Sequence, residues 1–322
     1  MTPIDLRFTV IKQSPPDFIY RAMKPYVDES NNYVHQPEEL RHAIARRHGI
    51  DPALIQLVAG ADQAIMIMAA LYGSRTHIFT PTYVGYTDAK RFGTLTEHPS
   101  LVDDAYKIAT RSLDATLIFL ANPNNPAGTT TTAKIIQLIE KNPTAKVVID
   151  EAYGDFVTDS LIPKVEQHSN LYVLRSFSKG FGLAGFRIGY IVAQSEALAE
   201  LELESTWFNL SYPAVGGALT ALEHEDYFAA MRQAIITERN LTVMALKDQG
   251  YCVIRGAINA ILVRFETVAL ADTFVKALHE AGILVHQGSG ASNVGLDQSY
   301  VRLAVGTPEQ MARFREVLRD LT

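Results

Sequence analysis

The sequence predicts an α/β protein: a large unit built on a mostly parallel sheet flanked by helices, followed by a smaller α+β C-terminal unit. Three observations carry this. From about residue 55 to 205, short β-rich runs alternate with amphipathic segments, the pattern of a parallel sheet covered by helices on both faces. The segments that follow these runs are rich in polar residues and glycine, as expected where the carboxyl ends of parallel strands open on a ligand. Beyond about residue 210 the pattern changes to a long helical stretch and a separate set of strands and helices. The expected division is an N-terminal arm over residues 1–30, a large unit over 31–210, and an interdomain helix with a small unit over 211–322.

Residues 1 to about 30 show no helical or strand period and carry Ser14-Pro15-Pro16, so they read as an arm packed over another element. The expected strands of the large unit are 55–59, 76–79, 115–120, 146–149, 171–174 and 186–192. Between the first two, Ile65, Met68, Ala69 and Tyr72 recur at i, i+3, i+4 and i+7, which gives a helix with one buried face. After Trp207 to Pro213 a helical stretch runs to about residue 249. A strand over 251–265, a helix over 270–281 and strands over 283–286 and 300–305 follow. The last helix opens with Thr307-Pro308-Glu309-Gln310, a capping box with proline at the first helical position, and buries Met311, Phe314, Leu318 and Leu321.

A chain of 322 residues, 48% hydrophobic, has enough apolar surface for one large and one small core. Its net charge of −6 and lack of a Lys/Arg block argue against nucleic acid or an anionic membrane as partner and favour a small molecule. No apolar run reaches the roughly 18 residues of a membrane span, and Met1-Thr2-Pro3-Ile4-Asp5 does not begin a signal peptide, so a cytoplasmic protein is expected. The single cysteine, Cys252, excludes an internal disulfide and reads as a packing residue. The nine histidines form no metal-binding spacing, so no metal is expected.

Chemistry concentrates in Ser176-Phe177-Ser178-Lys179-Gly180-Phe181-Gly182-Leu183-Ala184-Gly185-Phe186-Arg187. Two hydroxyls, glycines that let backbone approach and a guanidinium suit a phosphate. A lysine desolvated near another cation, which Arg187 could supply, becomes a nucleophile toward carbonyls, as a Schiff base requires. The run Val147-Val148-Ile149-Asp150-Glu151-Ala152-Tyr153 delivers Asp150 at a strand end. Opposite a pyridine ring, a carboxylate keeps the ring nitrogen protonated and makes the ring an electron sink. The loop Asn122-Pro123-Asn124-Asn125-Pro126-Ala127-Gly128-Thr129 follows another strand and places Asn125 within reach of the same ligand. Gly60-Ala61-Asp62-Gln63 opens a helix whose free N–H groups make a phosphate cradle.

With these segments in order, the chain resembles the fold-type I pyridoxal-phosphate aminotransferases, and within them the histidinol-phosphate aminotransferase group, from about Tyr33 to the C-terminus. The shared motifs are the N-P-N-N-P-[TA]-G loop, the D-E-A-Y strand end and the S-F-S-K-x-F-G-L-A-G-x-R segment. The resemblance implies an aspartate-aminotransferase-like fold and pyridoxal 5'-phosphate as cofactor. It implies that Lys179 forms the Schiff base, that Asp150 pairs with the pyridine nitrogen, and that Tyr153 and Asn125 hydrogen-bond the ring hydroxyl. Ser176, Ser178 and Arg187 would hold the phosphate with the backbone at Ala61 and Asp62 beside Gly60, and Tyr83 would stack on the ring. Val301-Arg302-Leu303-Ala304-Val305-Gly306-Thr307 matches the family's L-R-[IL]-[TAS]-V-G-T run, which places Arg302 on the substrate α-carboxylate. Tyr33 matches a tyrosine that reaches the neighbouring subunit's cofactor phosphate, implying a homodimer with active sites at the interface.

Two departures fall on the substrate side. His286 stands where relatives that bind a phosphorylated substrate carry arginine, and histidine is a weaker, pH-dependent phosphate ligand. Val10-Ile11-Lys12-Gln13 replaces the family's N-E-N-P-like stretch over the substrate. The expected activity is ping-pong transamination between an amino acid, either histidinol phosphate or a non-phosphorylated one, and a 2-oxo acid. The alternatives are a phosphothreonine-type decarboxylase and a catalytically silent cofactor-binding protein.

Overall fold

The structure, a computed structural model, describes residues 3–204, 209–290 and 292–321, so Trp207 and the extreme N-terminus lie outside the described residues. In chain order the elements of the first half are β1 (Ile4–Asp5), α1 (Asp17–Asp28), α2 (Glu38–His48), β2 (Ile55–Val58), α3 (Gly60–Tyr72), β3 (Arg75–Thr80) and β4 (Thr82–Tyr83). Then come β5 (Thr94–Pro99), β6 (Leu101–Val102), β7 (Ala105–Tyr106), β8 (Leu117–Ala121), α4 (Thr132–Lys141), β9 (Lys146–Asp150), β10 (Leu171–Ser176), the single turn α5 (Phe177–Gly180), β11 (Gly189–Val192) and α6 (Ser195–Glu204). The remainder is α7 (Tyr212–Glu223), α8 (Glu225–Asp248), β12 (Cys252–Ile254), β13 (Ala260–Arg264), α9 (Val268–Glu280), β14 (Ile283–Leu284), β15 (His286–Gln287), β16 (Asn293–Val294), β17 (Tyr300–Ala304) and α10 (Pro308–Asp320).

The large sheet has seven strands in the order β2-β11-β10-β9-β8-β3-β5. All neighbours are parallel except β11, which runs antiparallel to both β2 and β10. The central strands are apolar because both faces are covered: Val147, Val148 and Ile149 are fully buried, each contributing about 1.5–3 kcal/mol. Register places Asp150 beside both Ala121 and Leu174, so the loops leaving β8, β9 and β10 start at neighbouring points. The smaller sheet is antiparallel, in the order β12-β13-β17-β15, with its own apolar cluster around Leu246, Phe274, Val301 and Phe314. The capping box forms as expected: Thr307 Oγ1 accepts from the Gln310 N–H at 3.3 Å, and Gln310 Oε1 accepts from the Thr307 N–H at 3.0 Å.

Several expectations are corrected. Residues 17–28, expected to lack regular structure, form α1, which packs on α7 with Ile19 buried. The two helices approach so closely that a Cβ on Gly216 would lie 2.3 Å from Tyr26 Cδ2. The proline-rich entry hid a helix whose apolar positions had no obvious partner in sequence. The start of the arm packs on another element as expected, β1 pairing in parallel with β14 of the smaller unit. The stretch to residue 249 is two helices that part at His224, and the strand expected over 251–265 is the hairpin β12–β13. The strand expected over 283–286 divides between β14, which pairs with β1, and β15, which joins the smaller sheet. The strand expected from 186 starts at Gly189, because Arg187 turns the chain through the left-handed region at φ 53°. The edge strand β5 was not foreseen; its residues are mostly solvent-facing and lack an apolar run. Cys252 is half-buried, and its thiol donates to Asp104 Oδ2 at 3.4 Å. Among the described residues no helix is long and apolar enough to cross a membrane.

Candidate active site

At the carboxyl ends of β8, β9 and β10 a cavity of about 170 Å³ opens beneath the N-terminal segment. Of the residues singled out from sequence, it is lined by Ala61, Asp62, Tyr83, Asn125, Asp150, Tyr153, Ser176, Ser178, Lys179 and Arg187. These come from α3, β4, the ends of three adjacent strands and the turn before β11, which brings Asp62 and Arg187 together from 125 positions apart.

Asp150 is buried at the end of β9 and accepts the Tyr86 hydroxyl at 2.7 Å and the Ala152 N–H at 2.9 Å. Burial pushes its carboxyl above the ordinary range, and those two donors oppose the shift. Tyr153 accepts from Asn125 Nδ2 at 3.1 Å and shares a hydrogen bond of 2.7 Å with Thr9 Oγ1. Lys179 Nζ donates to the Thr9 carbonyl at 3.1 Å and lies 5.4 Å from the centre of the Tyr153 ring.

Ser176 and Ser178 interlock. The Ser178 N–H donates to Ser176 Oγ at 3.1 Å, and the Ser176 hydroxyl donates to Ser178 Oγ at 2.8 Å. This leaves the Ser178 hydroxyl proton to serve a ligand. Arg187 closes that end: Nη2 donates to Asp62 Oδ2 at 2.7 Å, and Tyr83 donates to Asp62 Oδ1 at 2.9 Å. Gly60 does not line the cavity, but its φ of 76° and the 2.5 Å between a notional Cβ and Arg187 Nη2 require glycine there. The first turn of α3 has no side-chain cap, so its N–H groups point at the same end of the cavity as Arg187 and the serines. Two hydroxyls, a guanidinium and a helix N-terminus at one end, with an amine and a buried carboxylate beyond, match the donor set that pyridoxal phosphate needs.

The other three predicted residues lie elsewhere. Arg302 is 1% exposed and reaches the site through Asn125. His286 sits opposite Arg302 in register, with the edge of the Phe8 ring against it, and does not line the cavity. Burial, with the Arg302 and Arg7 charges nearby, lowers its pKa, so it is neutral near pH 7. Tyr33 is 83% exposed and does not line the cavity. Arg187, the cation expected near Lys179, lines the same cavity with its guanidinium paired to Asp62. Lys12 is a second cation that feels Lys179, its amine lowered by burial and by the charges of Arg7 and Lys179 against the pull of Asp5.

Sequence reasoning placed Val10 in the stretch over the substrate but did not single out Tyr86, Phe8, Thr9, Ser292 or Asn293. Tyr86 lies one helical turn after Tyr83, the one signal that could have marked it. The others come from segments whose path no local pattern fixes.

The sequence pattern of the aminotransferase class I and II family matches residues 27–318. A histidinol-phosphate aminotransferase of Archaeoglobus fulgidus is 39% identical over 206 residues, which cover 64% of this chain and 58% of that protein. One from Acinetobacter baumannii is 32% identical over 299 residues, 87% of this chain and 79% of that protein. The crystal structure of histidinol-phosphate aminotransferase from Sinorhizobium meliloti, in complex with pyridoxal-5'-phosphate, superposes with a TM-score of 0.88 at 23% identity, covering 100% of this chain and 92% of that one. A seven-stranded sheet with one reversed strand, a lysine and an aspartate at adjoining strand ends, and a family match across nine-tenths of the sequence lead to one conclusion: the chain belongs to the class I and II aminotransferase family.

Proposed function

We propose that the protein is a pyridoxal-phosphate-dependent aminotransferase that moves an amino group from an amino acid to a 2-oxo acid in two half-reactions. The observation that carries this reading is the single cavity into which Lys179, Asp150, Arg187 and the two serines converge. When bound, the cofactor supplies an aldehyde that takes up the amino group and a ring that stores the electron pair released at the substrate carbon. Ser178, Arg187 and the first turn of α3 hold its phosphate. Asp150 holds the proton on its ring nitrogen, and Asn125 and Tyr153 orient its hydroxyl. The Lys179 amine is both the covalent tether and, once displaced, the base that moves the α-proton. Arg302 binds the substrate carboxylate. About residues 31–210 carry the cofactor, 211–322 carry Arg302, and the N-terminal arm covers the substrate, with Tyr33 completing the site of a second subunit in a homodimer.

The donor is an amino acid without a phosphate. His286 does not line the cavity and its pKa is lowered by burial, and the arm offers the uncharged Phe8, Thr9 and Val10 to the substrate. Borohydride reduction of the cofactor-loaded protein followed by peptide mapping is expected to label Lys179, and an unlabelled Lys179 would overturn the reading. A panel of amino acids, followed by loss of the cofactor absorbance near the visible edge, is expected to find a donor with no phosphate. Release of carbon dioxide in place of a 2-oxo acid would instead make the protein a decarboxylase. Lys179→Ala should lower turnover by about 10²-fold or more.

A further inference from the structure

Arg302 is a buried cation whose charge no carboxylate cancels among the described residues. Its guanidinium is held by three neutral oxygens: Nη1 donates to Asn125 Oδ1 at 3.0 Å and to Asn293 Oδ1 at 2.6 Å, and Nη2 donates to the Arg7 carbonyl at 2.7 Å. Nε is buried with no partner. Burying an uncompensated charge is costly, and neutral acceptors reduce the cost without removing the charge. An anion is what would complete such a site.

Asn293 is the residue that neither motif nor family pattern marked. Its side chain is buried, and because a guanidinium has only donors, the atom facing Arg302 must be the amide oxygen. The amide nitrogen then points the other way and donates to the Asn125 carbonyl at 2.9 Å. Asn125 repeats the arrangement, with its oxygen on Arg302 and its nitrogen on the Tyr153 hydroxyl. The pairing of β16 with β4 sets Asn293 opposite Tyr83, so its position is fixed by the strand that carries another wall of the cavity.

We propose that Asn293 is a positioning residue for carboxylate recognition: its neutral amide fixes the Arg302 guanidinium beside the cofactor pocket while leaving its positive charge for the substrate. The Asn125 side chain joins Arg302 to Tyr153, and Asn293 braces both the guanidinium and the Asn125 backbone, so the carboxylate seat on Arg302 is held in register with the cavity that contains Lys179. This rests on the transaminase reading only in taking the incoming anion to be an α-carboxylate.

The test uses the cofactor-loaded protein and two small amines that differ only in the carboxylate, 2-methylalanine and isopropylamine, each titrated against the cofactor absorbance. For Asn293→Ala the dissociation constant of 2-methylalanine should rise about tenfold or more, as for loss of a hydrogen bond to a charged group, while that of isopropylamine stays unchanged. Asn293→Asp keeps the shape and the acceptor, exchanges the bond to the Asn125 carbonyl for an ion pair with Arg302, and so places a carboxylate on the guanidinium. It should lose 2-methylalanine by about 100-fold, with unchanged isopropylamine binding and a thermal midpoint no lower than the parent's. Opposite signs for stability and carboxylate binding are what a purely structural role would not give. Equal loss of both amines, or retained 2-methylalanine affinity in Asn293→Asp, overturns the proposal. Arg302→Ala separates the two readings: if it abolishes the preference for 2-methylalanine while both Asn293 variants keep it, the assignment of Asn293 falls and Arg302 as the carboxylate site stands. If the parent itself shows no such preference, the proposed role of Arg302 falls and that of Asn293 with it.

Discussion

The carboxyl of Asp150 is raised by burial and restrained by the Tyr86 hydroxyl at 2.7 Å, so its ionisation depends on one neighbour that can be removed without changing shape. Tyr86→Phe should push Asp150 further up and move the acid limb of the turnover profile to higher pH by about one unit, since hydrogen bonds to charged groups contribute about 1.5–3 kcal/mol. An unmoved limb would show that Tyr86 does not restrain Asp150. His48, bonded to the Tyr190 hydroxyl at 2.7 Å, behaves in the opposite sense, with a pKa lowered to about 3 chiefly by burial. Between that value and the ordinary one of 6.5, the unfolded chain binds a proton that the folded chain does not. Stability from this group is therefore present above the ordinary value and is lost as pH falls through the window. Urea unfolding at pH 7 and pH 5 should show the loss, at a slope approaching about 1.4 kcal/mol per pH unit, and His48→Gln should remove that component.

At the scale of elements, the turn that carries Lys179 is anchored from below by ionic contacts joining β9, β10, α2 and α8. Arg175 of β10 pairs with Glu151 at 3.2 Å and with Asp155 at 3.4 Å, both carboxylates being buried. Asp155 also binds Arg47 at 2.9 Å, and Glu225 pairs with both Arg47 and Arg232. Arg232 in turn donates to the Gly180 carbonyl at 3.3 Å. A Cβ on Gly180 would fall 2.3 Å from Asp155 Oδ2, so the lysine turn rests directly on this network. Arg175→Met should cost about 3–5 kcal/mol in chemical denaturation, because it strands Glu151 without a counter-charge. Adding Glu151→Leu should recover most of that loss, since replacing the whole pair by apolar groups removes the stranded charge. A double variant as unstable as the single one would place the cost in packing instead.

Across the whole molecule, the two sheets are joined at a few identifiable points. Arg264 of the smaller sheet clasps Asp104, in the β6–β7 turn, at 2.7 and 2.8 Å; β16 pairs with β4, and the N-terminal segment runs from β1 across the cavity. Tyr33 is exposed, and its proposed role in a second subunit's site is open to direct test. In a symmetric dimer with shared sites, mixing Lys179→Ala with Tyr33→Ala chains yields mixed dimers with one intact site, so about a quarter of the parent activity should return. Sedimentation should also show twice the mass of the chain. No recovery on mixing, or a monomer at assay concentration, would refute the shared site.

By itself the sequence determined the α/β plan and the cofactor side of the cavity. Buried parallel strands read as uninterrupted apolar runs, and the residues at their carboxyl ends, Asn125, Asp150 and Lys179, stand in local motifs whose chemistry survives without knowing the fold. The helix α1 escaped because prolines at its entry and at Pro25 masked its apolar stripe, and the edge strand β5 because its residues are mostly solvent-facing. Arg302 too was legible in its motif, but only tertiary structure decided what surrounds it. Arg302 is cradled by Asn125, Asn293 and the Arg7 carbonyl, contacts spanning up to 295 positions in the chain, and Tyr153 is met by Thr9 from 144 positions away. Such contacts follow from strand register and from the path of the arm, and a linear pattern of residue types encodes neither.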